Sequence, residues 1–333
     1  MTDISTSDLL ELIEQSLVRF QVPESSGSVS GLAHRPGTAD FQRAAFWFVQ
    51  AELLRLPAFG IQMLLRDLER LDAFGAENAS EPSTLVKPAA LSIDASRLPG
   101  HVALALAVRL AGEAVRSQGV AILGIRHVGA LGVLGCAART LASAGAVAII
   151  SANSSAFVAP FGGAAAAIGT NPLAVAAPRQ NAAPLVLDYS TSPMTLAALR
   201  QARHTGGTLP ASGAVDAQGQ RTSDPSLAAA LLPEGRISSL TGLAGELITG
   251  VGVGGRVQAG IPAPERSALV MAYSPVAMGN PDAGQLCEQL TADWKGAGGH
   301  VPGRFDALPL EREQLPHTIA IHSETLAALS ARG

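Results

Sequence analysis

Apolar residues recur at helical spacing over residues 5–20 (STSDLLELIEQSLVRF), with Ser or Asp placed to cap the first turn. The same spacing returns over Asp40–Leu53 and Ile61–Phe74, two helices parted by Arg55-Leu56-Pro57. A Ser- and Gly-rich loop is expected over Pro23–Gly37. Residues 76–99, which hold Pro82, Pro88 and Pro99, read as an extended connector with short strands. A long amphipathic helix is predicted from His101 to Gln118, closed by Gly119 as its C-terminal cap.

Beyond that helix the period changes. Short, partly β-branched runs at Val120–Ile125, Val147–Ser151, Leu173–Ala177 and Leu185–Asp188 read as strands, punctuated by Gly, Pro and Asn. Helices are expected near Gly132–Ala144 and Leu240–Thr249, and a further strand over 266–276. No internal repeat is visible. The pattern predicts an α+β protein with a central sheet domain and a helical domain built from both termini.

Composition narrows the function classes. The chain has 333 residues, 47% hydrophobic and 15% charged, enough for about two domains and a substantial core. A net charge of −4 argues against nucleic-acid binding, which needs basic surface to neutralise phosphates. The first twenty residues lack the basic start of a secretory signal. The longest apolar stretch, Ala142 to Thr170, is broken by Asn153, Pro160 and several glycines, so no membrane span is expected. Cys136 and Cys287 are too few for a disulfide framework or a thiolate metal site. A soluble, reduced, cytoplasmic protein is expected. Of its 23 basic residues only Lys87 and Lys295 are lysines, so cationic roles fall to arginine.

Four segments carry candidate chemistry. Gly129-Ala-Leu-Gly132-Val-Leu-Gly135 follows a predicted strand, but its spacing and the lack of a downstream acid do not fit a dinucleotide turn; tight helix packing on alanines is the better reading. Gly250–Gly255 (GVGVGG) lacks the Lys-Ser/Thr of a phosphate loop and reads as a flexible turn. The turns Pro160-Phe161-Gly162-Gly163 and Gly169-Thr170-Asn171-Pro172, with Asn153, Ser154 and Ser155, are either a ligand loop or plain turn chemistry. Asp188 ends an apolar strand just before Ser190, Thr191 and Ser192, where it could orient a base or be held by those residues. Of seven histidines only His127 stands at a predicted strand end beside a glycine turn; the rest are expected to be solvated.

The run His127-Val-Gly129, Asn153-Ser154, Pro160–Gly163, Gly169-Thr-Asn-Pro172, Asp188 and Thr191-Ser192 resembles the type-2 malate/L-lactate dehydrogenase family, with its ureidoglycolate and sulfolactate dehydrogenases and cyclic-imine reductases. Leu209-Pro210, Asp216-Ala-Gln-Gly219, Thr222-Ser-Asp-Pro225, Leu231-Leu-Pro233, Glu246-Leu247 and Glu311-Arg-Glu313 extend it over roughly residues 40–325. The resemblance implies a non-Rossmann NAD(P)-binding domain around a largely antiparallel sheet, over 119–264. A helical, substrate and dimerisation domain would be formed by 1–118 with 265–333. It further implies a homodimer and hydride transfer between NAD or NADP and a small 2-hydroxy, 2-oxo or cyclic imino acid. The cofactor residues it implies are Asn153, Pro160, Phe161, Gly162, Gly163, Thr170, Asn171, Thr191, Ser192 and Arg312. The family's acid–base histidine lies in a Ser-His-Gly motif, supported by an aspartate that falls on Asp188; an arginine four residues later holds the substrate carboxylate.

Here the chain departs from the family. Ala58 stands at the serine position, Phe59 at the histidine, Met63 at the arginine and Asp67 at a usual tyrosine. The family's Gly-His-Lys-Gly run falls on Gly235-Arg236-Ile237-Ser238, and its Gly-Lys pair on Ala197-Ala198. Phenylalanine cannot exchange a proton, and methionine cannot pair a carboxylate in bidentate fashion. A substrate pocket of Phe59, Met63, Asp67 and Ile237 is expected, with Asp188 and His127 as the remaining catalytic candidates. Three readings stand: an oxidoreductase for a less polar substrate, a scaffold recruited to cyclisation, elimination or isomerisation, and a non-catalytic binding subunit.

Overall fold

The computed structural model describes residues 1–20, 35–73, 84–211, 213–256, 258–259 and 265–332. Most of the loop expected over Pro23–Gly37, and the start of the 76–99 connector, lie outside the described residues. The chain forms two units, one of 1–150, 174–187 and 270–333, the other of 151–173 and 188–269.

The first unit opens with strand β1 (Thr2–Ser5) and helix α1 (Thr6–Val18), where the Ser5 side chain accepts from the Asp8 backbone N–H at 3.1 Å. Helices α2 (Thr38–Leu53) and α3 (Ile61–Ala73) follow, separated by a short 3₁₀ turn over Pro57–Phe59. Strands β2 (Thr84–Lys87) and β3 (Ala90–Asp94) lead to α4 (Gly100–Gln118), which ends at Gly119 with φ 77°. A glycine is needed there, because a side chain in this left-handed conformation is strained. Strand β4 (Val120–Val128), helix α5 (Leu134–Ser143) and strand β5 (Val147–Ala152) come next. The apolar faces of α1, α2 and α3 meet in one core around Leu9, Ile13, Phe41, Phe48, Leu64 and Leu68, joined by Val102 of α4.

Strands β6 (Leu173–Ala177), β7 (Leu185–Tyr189) and β11 (Arg266–Tyr273) complete a seven-stranded sheet in the order β2-β3-β4-β11-β5-β6-β7. β2 and β3 pair antiparallel, whereas β3 and β4 run parallel, with Asp94 opposite Arg126. The parallel step follows from the crossover helix α4 between them. Helix α8 (Ala283–Gly296), strand β12 (Thr318–Ile321) and helix α9 (Ser323–Ser330) finish the chain, with β12 antiparallel to β1.

The second unit holds α6 (Leu196–Thr205), α7 (Arg236–Glu246) and a small antiparallel sheet of β8 (Ala214–Val215), β9 (Arg221–Thr222) and β10 (Ala230–Leu231). Its core includes Val158, Ile168, Met194, Leu199 and Leu231. α7 runs into a π-helical turn over Leu247–Val251, so the start of the expected flexible GVGVGG segment is helical.

The units divide the chain at other points than the expected 118/119 and 264/265. β4 pairs with β3, and both belong to the first unit together with α4, α5 and most of β5. Among the described residues no helix is long and apolar enough to cross a membrane.

Candidate functional site

In the first unit the Pro57–Phe59 turn is fixed from both sides. The Phe59 N–H donates to Leu56 O at 2.8 Å, and Arg66 donates to Ala58 O at 2.7 Å. Glu52 receives the Ile61 N–H at 2.8 Å and so caps α3. Burial pushes the Glu52 carboxyl above its usual range; the Ile61 hydrogen bond and His322 oppose that shift. A Cβ on Gly60 would lie 2.3 Å from Glu52 Oε1, so a side chain there would displace the capping carboxylate.

Phe59 is half-buried and Met63 buried. Asp67, one turn further along the same helix, is also buried, but it is fully engaged. Its Oδ1 receives Arg70 Nε at 2.7 Å, and its Oδ2 receives the N–H of Gly100, the first residue of α4, at 2.6 Å. Pro99 at that cap offers no side-chain acceptor, so Asp67 serves as the capping carboxylate of α4. Arg70 donates in addition to Leu98 O at 3.2 Å.

The glycines of Gly129-x-x-Gly132 acquire a reason here. A Cβ on Gly129 would lie 1.9 Å from Asp67 Oδ1, and one on Gly132 would lie 2.3 Å from His101 Nε2. They admit polar side chains of α3 and α4 rather than a phosphate, and the expected packing on alanines does not account for them. His101 also corrects the expectation of a solvated side chain. It lies on the inner face of α4, 2% exposed and stacked on Phe48 at 3.7 Å between ring centroids, and burial lowers its pKa to about 3.

His127, the penultimate residue of β4, has φ 54°, a left-handed conformation that costs a non-glycine residue about 1–2 kcal/mol. Its Nδ1 lies 3.2 Å from Asp94 Oδ2, and its side chain is 46% exposed. Burial pushes the Asp94 carboxyl up, but the Ser96 N–H and hydroxyl and the neighbouring His127 outweigh burial and hold it below the usual range. An ionised Asp94 can only accept, so Nδ1 is the donor and Nε2 is left with the lone pair. Arg312, from the same unit, is half-buried and paired with Glu14 at 2.6 Å.

In the second unit, Asn153, Ser154, Thr170, Asn171, Thr191 and Ser192 are all buried. Asn153 accepts from Ser267 N at 2.8 Å and donates to Gly255 O at 3.0 Å. Asn171, with φ 36°, accepts from Ser154 N at 3.2 Å and donates to Gly242 O and Glu246 Oε2, both at 3.0 Å. The Thr191 hydroxyl donates to Thr170 O and the Ser192 hydroxyl to Leu232 O, each at 2.9 Å. Asp188 itself is half-buried. These side chains tie the loops of the unit together.

The surface of that unit is different. Pro160–Gly163 is an exposed turn whose Phe161 N–H donates to Ser239 on α7 at 3.0 Å. Gly235, at the start of α7, provides no side-chain cap, leaving the helix N-terminus and Arg236 for an anion. A built Cβ on Gly162 or Gly235 would touch nothing within 4 Å. The Phe161 N–H is taken by Ser239 and the Gly163 N–H by Pro160 O, so the turn itself is closed by internal hydrogen bonds. Ile237 is 76% exposed.

Asp94 was not singled out from the sequence, and Arg70, His101 and Glu246 were assigned no functional role there. Asp94 lies 33 residues before His127, and only the parallel β3–β4 register brings them together. Among the described residues no cluster of His, Cys, Asp and Glu could hold a metal.

Comparison with known proteins gives a consistent result. The family model for malate/L-lactate dehydrogenase matches residues 34–329. L-sulfolactate dehydrogenase of Methanothermobacter thermautotrophicus is 27% identical over 324 residues, 93% of this chain and 91% of that protein. Delta(1)-pyrroline-2-carboxylate/Delta(1)-piperideine-2-carboxylate reductase of Pseudomonas aeruginosa is 31% identical over 196 residues, 59% of each chain. Among solved structures, delta1-piperideine-2-carboxylate reductase from Pseudomonas syringae pvar. tomato superposes with a TM-score of 0.81 at 26% identity, covering 100% of both chains.

Proposed function

The chain belongs to the malate/L-lactate dehydrogenase family, and on that premise we propose that it is an NAD- or NADP-dependent oxidoreductase of a small 2-oxo, 2-hydroxy or cyclic imino acid, or of a less polar relative. The observation that carries this reading is the Asp94–His127 pair, an imidazole oriented by an ionised carboxylate and half-exposed at a strained strand end. Such a pair exchanges a proton through Nε2 while Asp94 stabilises the imidazolium.

The nicotinamide, when bound, supplies the hydride. The Pro160–Gly163 turn and the α7 N-terminus would hold its phosphates, with Asn153, Thr170, Asn171, Thr191 and Ser192 shaping the loops behind them. Asp188 is proposed as a second acid–base support.

Substrate choice follows from Phe59 and Met63. Asp67 adds no net charge, because Arg70 and the Gly100 N–H neutralise it. A substrate whose reacting nitrogen arrives protonated makes the smallest demand on this chain, which favours a cyclic imine over a 2-oxo acid. Ile237, apolar where the resemblance expects a lysine, supports the same preference. The exposed apolar residues of α7, Leu240 and Leu243, support the proposed homodimer.

The test is reduction of a panel of cyclic imines and 2-oxo acids by the wild-type protein and by His127→Gln. Turnover lost about 100-fold or more in the variant supports the reading; turnover unchanged in the variant removes His127 from it. The apolar triplet Ala58, Phe59 and Met63 favours a second reading, non-redox chemistry or a binding subunit, and absence of turnover on the whole panel would select it.

A further inference from the structure

We propose that Asp67 and Arg70 are positioning residues that hold His127 in its strained conformation, a role that rests on the reading of His127 as the proton-exchanging group. A left-handed histidine persists only where its surroundings impose that conformation. On its upstream side the β3–β4 ladder does so, with Arg126 opposite Asp94 and the Ala95 N–H donating to Arg126 O at 2.9 Å. On its downstream side the chain passes through the buried Val128 into Gly129, where a Cβ would lie 1.9 Å from Asp67 Oδ1 and 2.9 Å from Arg70 Nε, so that Gly129 rests on the Asp67–Arg70 pair.

The pair is built to bear that load. The side chain of Asp67 is 5% exposed and that of Arg70 10%. Each carboxylate oxygen has its own donor, on α3 and on the first residue of α4. A Cβ on Gly100 would in turn strike Ala130 O at 2.2 Å, so α4 and the 129–130 backbone are in contact through the same corner. Asp67 therefore ties α3, α4 and the His127 turn at one point. This chain has an aspartate at the position where the family resemblance expects a tyrosine, so the device belongs to its own departures. The charged groups around the turn are Asp94 on β3, Arg126 on β4 and the Asp67–Arg70 pair on α3; His101 on α4 is neutral.

The readout is the imidazole ¹⁵N spectrum of His127 in the full-length protein without cofactor. The spectrum is recorded at pH 9, where an ordinary histidine is neutral, so that the tautomer can be read. The wild-type ring is expected to be locked with the proton on Nδ1, facing Asp94; His127→Gln assigns the signal. Asp67→Asn and Gly129→Ala are expected to lose that pattern and show averaged tautomers. Asp72→Asn, which removes an exposed carboxylate from the same helix, is expected to retain it. If Asp67→Asn does not fold, Arg70→Gln carries the same readout. A locked Nδ1–H tautomer retained in the folded Asp67 or Arg70 variant and in Gly129→Ala overturns the proposal, as does its absence from the wild type.

Turnover then separates this inference from the one beneath it. Asp67→Asn is expected to lower kcat about tenfold with KM within twofold. An averaged tautomer with unchanged kcat would leave the positioning intact and remove His127 from the chemistry.

Discussion

Nδ1 of His127 lies 3.2 Å from Oδ2 of Asp94, across neighbouring parallel strands joined by a 19-residue helix. The register sets Asp94 opposite Arg126, so the carboxylate meets the next residue, at the point where the strand ends and the backbone turns left-handed. The ring is held by one nitrogen and presents the other. It is the pair for which we propose proton exchange.

Replacing Asp94 by Asn removes the carboxylate that orients the ring and allows the wrong tautomer. Asp94→Asn is expected to lower kcat about 100-fold with a small effect on KM, measured by steady-state kinetics on the best substrate of the panel. Asp94 also titrates. Its folded pKa is lowered, so its stabilising contribution is complete above the unfolded value of about 3.9 and is lost as pH falls through the folded value. Denaturant melts below about pH 4 should therefore show a loss of stability that Asp94→Asn reduces.

His101 predicts a second pH dependence, of larger size. It is neutral in the folded protein down to about pH 3, while the unfolded chain takes up a proton near pH 6.5. A histidine with a depressed folded pKa stabilises fully above the unfolded value, and that contribution is lost as pH falls. Between pH 6.5 and 5 the loss is about 2 kcal/mol. His101→Gln, which does not titrate, should flatten the stability curve over that range in chemical denaturation.

Glu52 and Gly60 make a local prediction for stability. A methyl group at Gly60 would displace the Glu52 carboxylate and uncap Ile61. Gly60→Ala and Glu52→Ala should each lower unfolding free energy by about 1 kcal/mol, and the double variant by less than the sum.

The apolar pocket proposed from Phe59 and Met63 can be tested by reversing it. Phe59→His with Met63→Arg should raise 2-oxo-acid reduction above that of the wild type, because it restores a proton donor and a carboxylate partner. A folded double variant with no gain would contradict the substrate preference argued from these two positions.

Most elements were legible in the sequence because their apolar periods are strong. Leu9, Ile13 and Leu17 recur at helical spacing, and Leu173–Ala177 matches its strand residue for residue. The two-residue strands β8, β9 and β10 carry too short a period to register. At the site, His127 was visible from its place before a glycine, whereas Asp94 was not, since nothing local in Asp94-Ala-Ser96 marks a partner 33 residues away. His101 looked like one more polar residue on a helix. Its burial follows from facing Phe48 and Gly132, a tertiary fact that overrides the ordinary preference of histidine for water.

The measurement that bears most directly on the whole account is a titration of the purified protein with NADH and with NADPH, followed by nucleotide fluorescence and calorimetry. Saturable binding of one of them at micromolar concentration is the predicted result. No binding of either by the folded protein would contradict the oxidoreductase reading.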